Sequence, residues 1–480
     1  MSADLAQLSG DHSRSGRSRN PILVSISTVL VVLPASAWLW GYTVDDALIT
    51  ARVAAHLAQG IGPRFNPNGP VADAVTPLGY AHLLSGFGQG DVLRTFLVAK
   101  WFGLLAWLAA AALLGRLVDG VGQRALRFSP LAIVALNAPL AAWSVSGMET
   151  GFVTLLTTLG LFGGPAGALS LGAAAALRPE LAPFAWLLVG GQARISRAPW
   201  RRVVLLGTFA LAPLLFVALV RLSSFGRAVP LSFYAKPSDF AHGLRYALGA
   251  FAFTGLPWLL LATPRQLLRL PPAARPLLAA LLAHGAALVL CGGDWMALYR
   301  LAVPALPAAA LAAAVLAEQA RLAFAIPRLA LALASSLLLA LGLGPSARRV
   351  GVDRVRLIAN ARPVFANDLR IAALDVGWVG AASNADVIDL AGVTDPQVAL
   401  FPGGHTSKRI PGAWLFARKP SAVVLLLARG TELSMPFENS TFARAVEQRV
   451  ANLLASDFQL RTRLALDDQT YLVLEPRVER

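Results

Sequence analysis

The chain has 480 residues, of which 56% are hydrophobic and 14% are charged, and its mean hydropathy is +0.60. These values exclude a soluble enzyme of this length and indicate a polytopic membrane protein. The net charge of +16 does not indicate nucleic-acid binding, because the basic residues are nearly all arginines in short clusters between apolar runs.

Apolar runs of sufficient length predict about eleven transmembrane helices. The first run follows Arg14, Arg17 and Arg19 without a signal-peptide cleavage site, so we expect an uncleaved span after a cytoplasmic tail at residues 1–20. The predicted spans are 21–41, 92–116, 129–144, 150–163, 167–178, 181–192, 203–222, 246–263, 275–292, 301–320 and 329–345. Residues 21–345 are therefore predicted to form a polytopic α-helical membrane domain.

Alternate crossing from a cytoplasmic N-terminus sorts the loops by charge, as the positive-inside rule requires. The arginines of the predicted inner loops are Arg116, Arg124, Arg127, Arg194, Arg197, Arg201, Arg202, Arg265, Arg269, Arg275, Arg321 and Arg328. The predicted outer segments are the first loop at 42–91, the turns at 146–150, 178–180 and 292–300, the loop around Lys236 and residues 346–480.

Two adjacent carboxylates, Asp45 and Asp46, stand just past the first apolar run. Ionisable groups close to hydrocarbon are costly and typically mark a pathway, a binding site or a reaction. The alternative is an exposed turn that caps the following helix. The helical period of residues 47–59 predicts an amphipathic helix on the membrane surface, which would hold both carboxylates at the depth of a lipid phosphate.

Further charged residues fall in the predicted outer turns. Arg178 and Glu180 flank a helix-breaking proline, Asp294 and Arg300 flank an aromatic turn, and Lys236 is another external cation. An internal salt bridge is the alternative for Asp294 and Arg300. Because these clusters meet on one side of the membrane, they indicate a site for a phosphate or a sugar.

After about residue 346 the composition is that of a small extracytoplasmic α/β domain. The predicted strands are Ile371–Val376, Val387–Leu390, Val423–Leu427 and Tyr471–Leu474, with helices at Val352–Ala361 and Phe442–Ser456. The turn at 377–380 lacks the dinucleotide-binding fingerprint. The aspartates of this segment have two interpretations, as acceptor ligands or as solvated loop carboxylates, and the second is favoured: Asp375, Asp386, Asp389 and Asp395.

Seven short motifs follow one another along the chain: DDALITAR at 45–52, FNPNG at 65–69, TPL at 76–78, SGMET at 146–150, RPE at 178–180, GGDWM with the following YR at 292–300, and DLAG at 389–392. In this order they resemble the integral-membrane glycosyltransferases of the GT-C class, which take a sugar from a polyprenyl-phosphate carrier on the outer side of the membrane. They are similar to a bacterial branch that includes the arabinofuranosyltransferases of mycobacterial cell walls.

The resemblance implies a multi-pass enzyme of the bacterial cytoplasmic (inner) membrane, with its active site and C-terminal domain outside the cytoplasm. It implies a polyprenyl-phosphate-linked sugar as donor, either arabinofuranose or a hexose such as mannose. The acceptor would be a hydroxyl of a cell-envelope glycan or glycolipid, and a direct displacement would invert the anomeric centre. The lipid bilayer is a further partner, whereas nucleic acid is not.

The resemblance also assigns roles to residues. An acidic residue of the first loop acts as the base, so we expect Asp45 to take the proton while Asp46 orients the acceptor or assists a metal; the reverse assignment remains open. Some members use a divalent cation and others do not, so Mg or Mn at Asp45 and Asp46 is left undecided. The residues expected to bind the donor phosphate or sugar are Arg300, Lys236, Arg178, Glu180, Asp294 and Arg52.

Two readings from other classes remain. A transporter or flippase for a lipid-linked sugar would also be polytopic and basic on the inside, although transporters are commonly built from paired repeats. A non-catalytic envelope-assembly protein could retain the same fold without a working site. Replacement of the acidic pair separates the three hypotheses. An enzyme would lose turnover, a transporter would lose flux, and an assembly protein would lose neither.

Overall fold

The computed structural model describes residues 20–477 except 123–124, 262–269 and 319–321. The predicted cytoplasmic tail therefore lies outside the described residues, apart from residue 20. The same holds for several arginines of the predicted inner side, namely Arg14, Arg17, Arg19, Arg124, Arg265, Arg269 and Arg321.

The described residues up to 364 are mostly helical. Its helices are α1 (Pro21–Trp38), α2 (Asp45–Ala58), α3 (Leu78–Ser85), α4 (Val92–Asp119), α5 (Ser129–Ala135), α6 (Ala138–Ser144), α7 (Thr150–Gly160), α8 (Gly164–Leu177), α9 (Ala182–Ile195), α10 (Trp200–Phe225), α11 (Leu231–Ala235), α12 (Phe240–Phe253), α13 (Leu256–Leu259), α14 (Ala274–Leu290), α15 (Leu306–Ala317), α16 (Leu322–Ala347) and α17 (Val350–Val364). A helix lies within each predicted span.

The predicted number of eleven membrane spans is not confirmed. Among the described residues, five helical segments are long and apolar enough to cross a membrane, or six if a bent pair is counted as one. These segments are Pro21–Trp38, Val92–Asp119, Trp200–Phe225, Arg300–Ala317 and Leu322–Val364, with the bent pair at Ala125–Ala135 and Ala138–Ser144. The helices at 150–195 have only 11 to 14 residues each, whereas a full crossing takes about 20.

The bend in the pair has a local cause. Asn137 leaves the helical conformation and caps α6, because its side chain accepts a hydrogen bond from the Leu140 amide at 3.0 Å. Pro139 follows in the first turn of α6, where its missing amide hydrogen is tolerated. The side-chain amide nitrogen of Asn137 donates a hydrogen bond to the Thr254 carbonyl at 2.6 Å, which stabilises the break between the two helices.

The C-terminal segment contains a five-stranded sheet with the order β2-β1-β3-β5-β4. Its strands are β1 (Arg370–Ala373), β2 (Asp386–Asp389), β3 (Ala422–Leu426), β4 (Phe458–Ala465) and β5 (Thr470–Pro476). Strands β2, β1 and β3 are parallel, and β5 and β4 are antiparallel. Helices α18 (Val376–Ala382), α19 (Pro396–Ala399), α20 (Gly412–Ala417) and α21 (Ala445–Leu454) connect them. The four predicted strands are present, and β4 was not predicted.

The chain divides into two compact units, each assembled from three chain segments. We call the first the helical unit; it comprises Met1–Thr43, Lys100–Leu219 and Ser238–Arg349. We call the second the sheet unit; it comprises Val44–Ala99, Val220–Pro237 and Val350–Arg480. The first loop and the segment that carries Lys236 therefore belong to the same unit as the C-terminal sheet.

Helix α2 is a core helix of the sheet unit rather than an interfacial one. Every residue from Ala47 to His56 is buried, including Thr50 and Arg52, and the helix packs on α3 and α18. Gly377 and Gly380 permit the contact with α18, since a Cβ on Gly377 would lie 2.2 Å from the Asp45 carbonyl oxygen. The expectation of an amphipathic surface helix at 47–59 is therefore wrong: the apolar face is covered by protein.

Candidate active site

The Asp45 carboxylate joins the first loop to the C-terminal domain. Asp45 lies in the first turn of α2, where a negative charge is favourable. Its Oδ2 accepts a hydrogen bond from the Gly377 amide at 2.7 Å, and its Oδ1 accepts one from the Trp378 amide at 2.9 Å. Burial raises the pKa of Asp45 to about 7. Both oxygens are thus engaged by backbone donors, which gives this side chain a positioning role.

Asp46, the next residue, is the more accessible carboxylate of the pair. Its side chain is 28% exposed. Its Oδ2 lies 3.8 Å from the Nζ of Lys236, whose side chain is 24% exposed. At that distance the charges attract each other without a close hydrogen bond. A hydroxyl group could therefore reach the carboxylate of Asp46 while a cation stands beside it.

A buried ion pair holds the Lys236 segment against the first loop. The Arg221 Nε lies 2.8 Å from the Asp73 Oδ2, and both side chains are at most 5% exposed. Arg221 also donates to the carbonyl of Thr76, whose hydroxyl lies 2.8 Å from the hydroxyl of Ser232. Sequence reasoning missed Asp73 and Arg221, although an arginine inside the predicted span 203–222 was a signal that it has a partner.

Arg52 was predicted to contact the donor, but its guanidinium makes four hydrogen bonds within the protein. The side chain is buried and donates from Nε to the Phe65 carbonyl at 2.8 Å. The two terminal nitrogens donate to three carbonyls around the end of α18, those of Gly380, Ser383 and Ala385. These contacts give Arg52 a packing role between α2 and the C-terminal domain, and they do not support the predicted donor contact.

The helical unit holds the remaining predicted residues as ion pairs. Arg178 Nε lies 2.6 Å from Glu149 Oε1, and its Nη1 lies 3.7 Å from Glu180. Arg300 Nε lies 2.7 Å from Asp294 Oδ2. The salt bridge that was the alternative for Asp294 and Arg300 is thus present. Glu149 was quoted only as part of a motif, yet it is completely buried beside Arg178.

A tyrosine connects these ion pairs. The Tyr246 hydroxyl accepts a hydrogen bond from the Leu301 amide at 2.9 Å. The same hydroxyl interacts electrostatically with Asp294, Arg300 and Arg178. Four predicted residues therefore gather in the helical unit, since Glu180 is paired with Arg178. Asp45, Asp46, Arg52 and Lys236 gather in the sheet unit.

The aspartates of the C-terminal domain are not all solvated, which corrects the interpretation from the sequence. Asp389 is completely buried and accepts hydrogen bonds from the Ala391 and Thr394 amides at 2.7 and 2.6 Å. Burial raises its pKa to about 6. Asp375 accepts two hydrogen bonds from Arg444 and one from the Tyr471 hydroxyl. Both carboxylates stabilise the domain internally.

Glu447→Gln is expected to reduce the pH dependence of stability. Burial raises the pKa of Glu447 from its ordinary 4.5 to about 7. A carboxyl group that binds its proton more tightly when folded contributes fully below pH 4.5, and that contribution is lost as the pH rises through about 7. Glutamine keeps an oxygen for the Leu426 amide, which lies 3.0 Å from Oε1, but cannot ionise.

The test is the melting temperature of the full chain between about pH 5 and pH 8, followed by tryptophan fluorescence. We expect the melting temperature of Glu447→Gln to fall less over this interval than that of the wild type. Glu432→Gln, a change at an exposed carboxylate, is the control and should follow the wild type. Parallel curves for all three proteins would contradict the role of Glu447.

No group of three or more His, Cys, Asp or Glu side chains in the described part of the chain is arranged to hold a metal ion. At Asp45 and Asp46 in particular, both oxygens of the Asp45 carboxylate already accept a hydrogen bond from a backbone amide. These two residues therefore do not fit a metal site made by the protein alone.

Comparison with known proteins gives two findings. A family model described as a domain of unknown function (DUF8728) matches residues 352–474, which is the C-terminal domain. The chain is also similar to the terminal beta-(1->2)-arabinofuranosyltransferase of Mycobacterium tuberculosis (strain ATCC 25618 / H37Rv), at 30% identity over 252 residues. That alignment covers 45% of this chain and 38% of the mycobacterial protein, so the chain spans about two fifths of the length of that relative.

Proposed function

We propose that this protein is a membrane glycosyltransferase that moves a sugar from a polyprenyl-phosphate donor to a hydroxyl of a cell-envelope glycan or glycolipid. The observation that carries the proposal is the accessible carboxylate of Asp46, held 3.8 Å from Lys236 in a unit built around the first loop. The similarity to an arabinofuranosyltransferase supports the reaction class and makes arabinofuranose the first sugar to test.

In this reaction the acceptor oxygen attacks the anomeric carbon and displaces the lipid phosphate in one step. The Asp46 carboxylate takes the proton that the acceptor hydroxyl loses, as a general base within hydrogen-bond reach does. The phosphate leaves with the electron pair of the broken bond, so its negative charge increases and a cation stabilises it. One displacement inverts the anomeric centre.

The roles of the two aspartates are thus exchanged relative to the first assignment from the sequence. Asp46 is now the base, and Asp45 has a positioning role. Burial raises the pKa of Asp45 to about 7, which by itself suits a proton acceptor. However, both of its oxygens already accept hydrogen bonds from Gly377 and Trp378. We infer that Asp45 fixes the N-terminal turn of α2, and that this turn presents Asp46 to the acceptor.

The experiment is transfer by the purified full chain in proteoliposomes from radiolabelled polyprenyl-phosphate arabinofuranose, mannose, glucose and galactose. We expect transfer from one of these donors, with inversion at the anomeric carbon. A folded protein that binds the donor lipids but transfers none of the sugars would overturn the proposal. A product with the donor's anomeric configuration would overturn only the single displacement.

Lys236→Met is expected to lower kcat/KM for the donor by about 10²-fold, because removal of one group that stabilises developing negative charge typically costs an enzyme about 10²–10³-fold in rate. Lys236→Arg should retain most of the activity, since it keeps the charge. Arg227→Met is the matched control: this cation lies in the same segment but stands 4.9 Å from the ring of Tyr234. Unchanged kinetics of Lys236→Met would remove this residue from the donor site.

A further inference from the structure

The helical unit contains a cavity of about 460 Å³. It lies where α7 leads into α8, and the ends of α9, α10, α14 and α15 close it. Most of its lining is apolar: Leu161, Phe162, Ala168, Leu188, Val189, Leu206, Pro276, Leu277, Leu311 and Val315. Its volume falls in the range of binding sites for small molecules. An apolar cavity of this size in a membrane domain suits a hydrocarbon chain.

One end of the cavity is polar and basic. Gln192, Ser196 and Arg202 line it there. Arg202 is exposed, and no acidic side chain occurs among the described residues of the lining. The positive charge at this end is therefore not neutralised from within the cavity, so the polar end complements an anion.

The surroundings of Arg202 have the character of a membrane–water interface. Trp200 is 71% exposed, and the guanidinium of Arg201 lies 5.7 Å from its ring. Tryptophan next to arginine is typical of the headgroup level. Further along α10, Val204 and Phe216 are 57% and 66% exposed, as expected for a helix that faces lipid. The basic end of the cavity thus lies where a phospholipid carries its phosphate.

We propose that this cavity binds one anionic glycerophospholipid, with an acyl chain among the apolar residues and its phosphate at Arg202. Basic pockets between transmembrane helices bind anionic headgroups in the same way. This lipid is neither donor nor acceptor, so the inference does not depend on the proposed reaction. A bound lipid would stabilise the helices that enclose it.

A second groove in the helical unit allows the contribution of the Arg202 charge to lipid binding to be compared with that of an apolar lining alone. It has a volume of about 560 Å³ and is lined by α1 and residues 128–132, including Leu23, Val31 and Leu131. Its described lining residues include no charged side chain. A lipid in that groove would be held by its chain alone, without selection of the headgroup. Headgroup selectivity therefore reports on the Arg202 cavity.

The test is native mass spectrometry of the purified full chain in mixed micelles that contain palmitoyl-oleoyl phosphatidylglycerol or the matched phosphatidylcholine. The wild type should bind one phosphatidylglycerol in preference to phosphatidylcholine. Arg202→Gln should weaken phosphatidylglycerol binding about fivefold, as expected for one arginine near a headgroup, and leave phosphatidylcholine unchanged. Arg201→Gln is the matched control and should behave as the wild type.

Ala273→Trp provides an independent test, because this half-buried residue lines the cavity and a tryptophan there should block it. Phosphatidylglycerol should raise the melting temperature of the wild type but not that of Ala273→Trp. Equal binding of the two lipids by the wild type, or an equal loss in Arg201→Gln and Arg202→Gln, would overturn the proposal. It would also be overturned if unlabelled polyprenyl phosphate displaced phosphatidylglycerol, since the occupant would then be the donor. If Ala273→Trp does not fold, the arginine pair alone decides.

Discussion

Replacement of Asp46 by asparagine is expected to lower sugar transfer by about 10²–10⁴-fold and to leave the melting temperature unchanged. The amide is close in shape to the carboxylate but cannot accept a proton, so the attack of the acceptor hydroxyl loses its base. The fold should be preserved, because the contact of Asp46 with Lys236 is long and partly exposed. The measurement is single-turnover transfer from the best radiolabelled donor, together with donor binding.

Two other variants make this result specific. Asp467→Asn removes a carboxylate that is 74% exposed and should transfer sugar as the wild type does. Asp45→Asn should lower the melting temperature and the rate together, because the amide nitrogen would face one of the two backbone donors at 377 and 378. Loss of transfer in Asp45→Asn at full stability, with an active Asp46→Asn, would assign the base to Asp45 instead.

Arg52→Met is expected to destabilise the sheet unit by about 3 kcal/mol. Methionine fills similar space but donates no hydrogen bond, so the carbonyls of Phe65, Gly380, Ser383 and Ala385 all lose a donor. Buried carbonyl groups without a partner are costly. Thermal and denaturant unfolding of the full chain, followed by tryptophan fluorescence, measures the change.

The comparison with Arg356→Met separates a packing role from a ligand role. Arg356 is 54% exposed and stands 3.9 Å from Asp467, so its removal should cost little. Arg52→Lys should also be destabilised, because an ammonium group cannot reach carbonyls in several directions. If Arg52→Met instead kept its stability and raised only the KM for the donor, the prediction from the sequence would be correct and the packing role wrong.

The positions of the helices in the helical unit could be predicted because each coincides with a continuous apolar run. Strand β4 was not predicted because charged residues interrupt its apolar pattern. Arg461 and Arg463 lie within it, and Arg461 is paired with Asp368 at 2.9 Å. An exposed strand of mixed polarity leaves little periodic signal. The number of membrane crossings could not be fixed from hydropathy, since helices α7 to α9 are apolar yet short.

The charged residues of the candidate site could be predicted, but their partners could not. An acidic pair after an apolar run is visible in the sequence. The hydrogen bonds of Asp45 with the amides of Gly377 and Trp378 are not visible there, because the partners are separated by 332 and 333 positions in the chain. Arg52 illustrates the same limit: a cation in the first loop has the same pattern whether it faces a phosphate or backbone carbonyls.

The glycines at 377 and 380 have a consequence for how this protein can be divided. The family model matches residues 352–474 only, whereas the sheet unit also includes residues 44–99 and 220–237. A chimaera that exchanges 352–474 alone would place a foreign helix against α2, where even one added methyl group collides with a backbone oxygen. The module that can be transplanted between relatives is therefore the set of three segments, which are distant in the chain and packed into one compact unit.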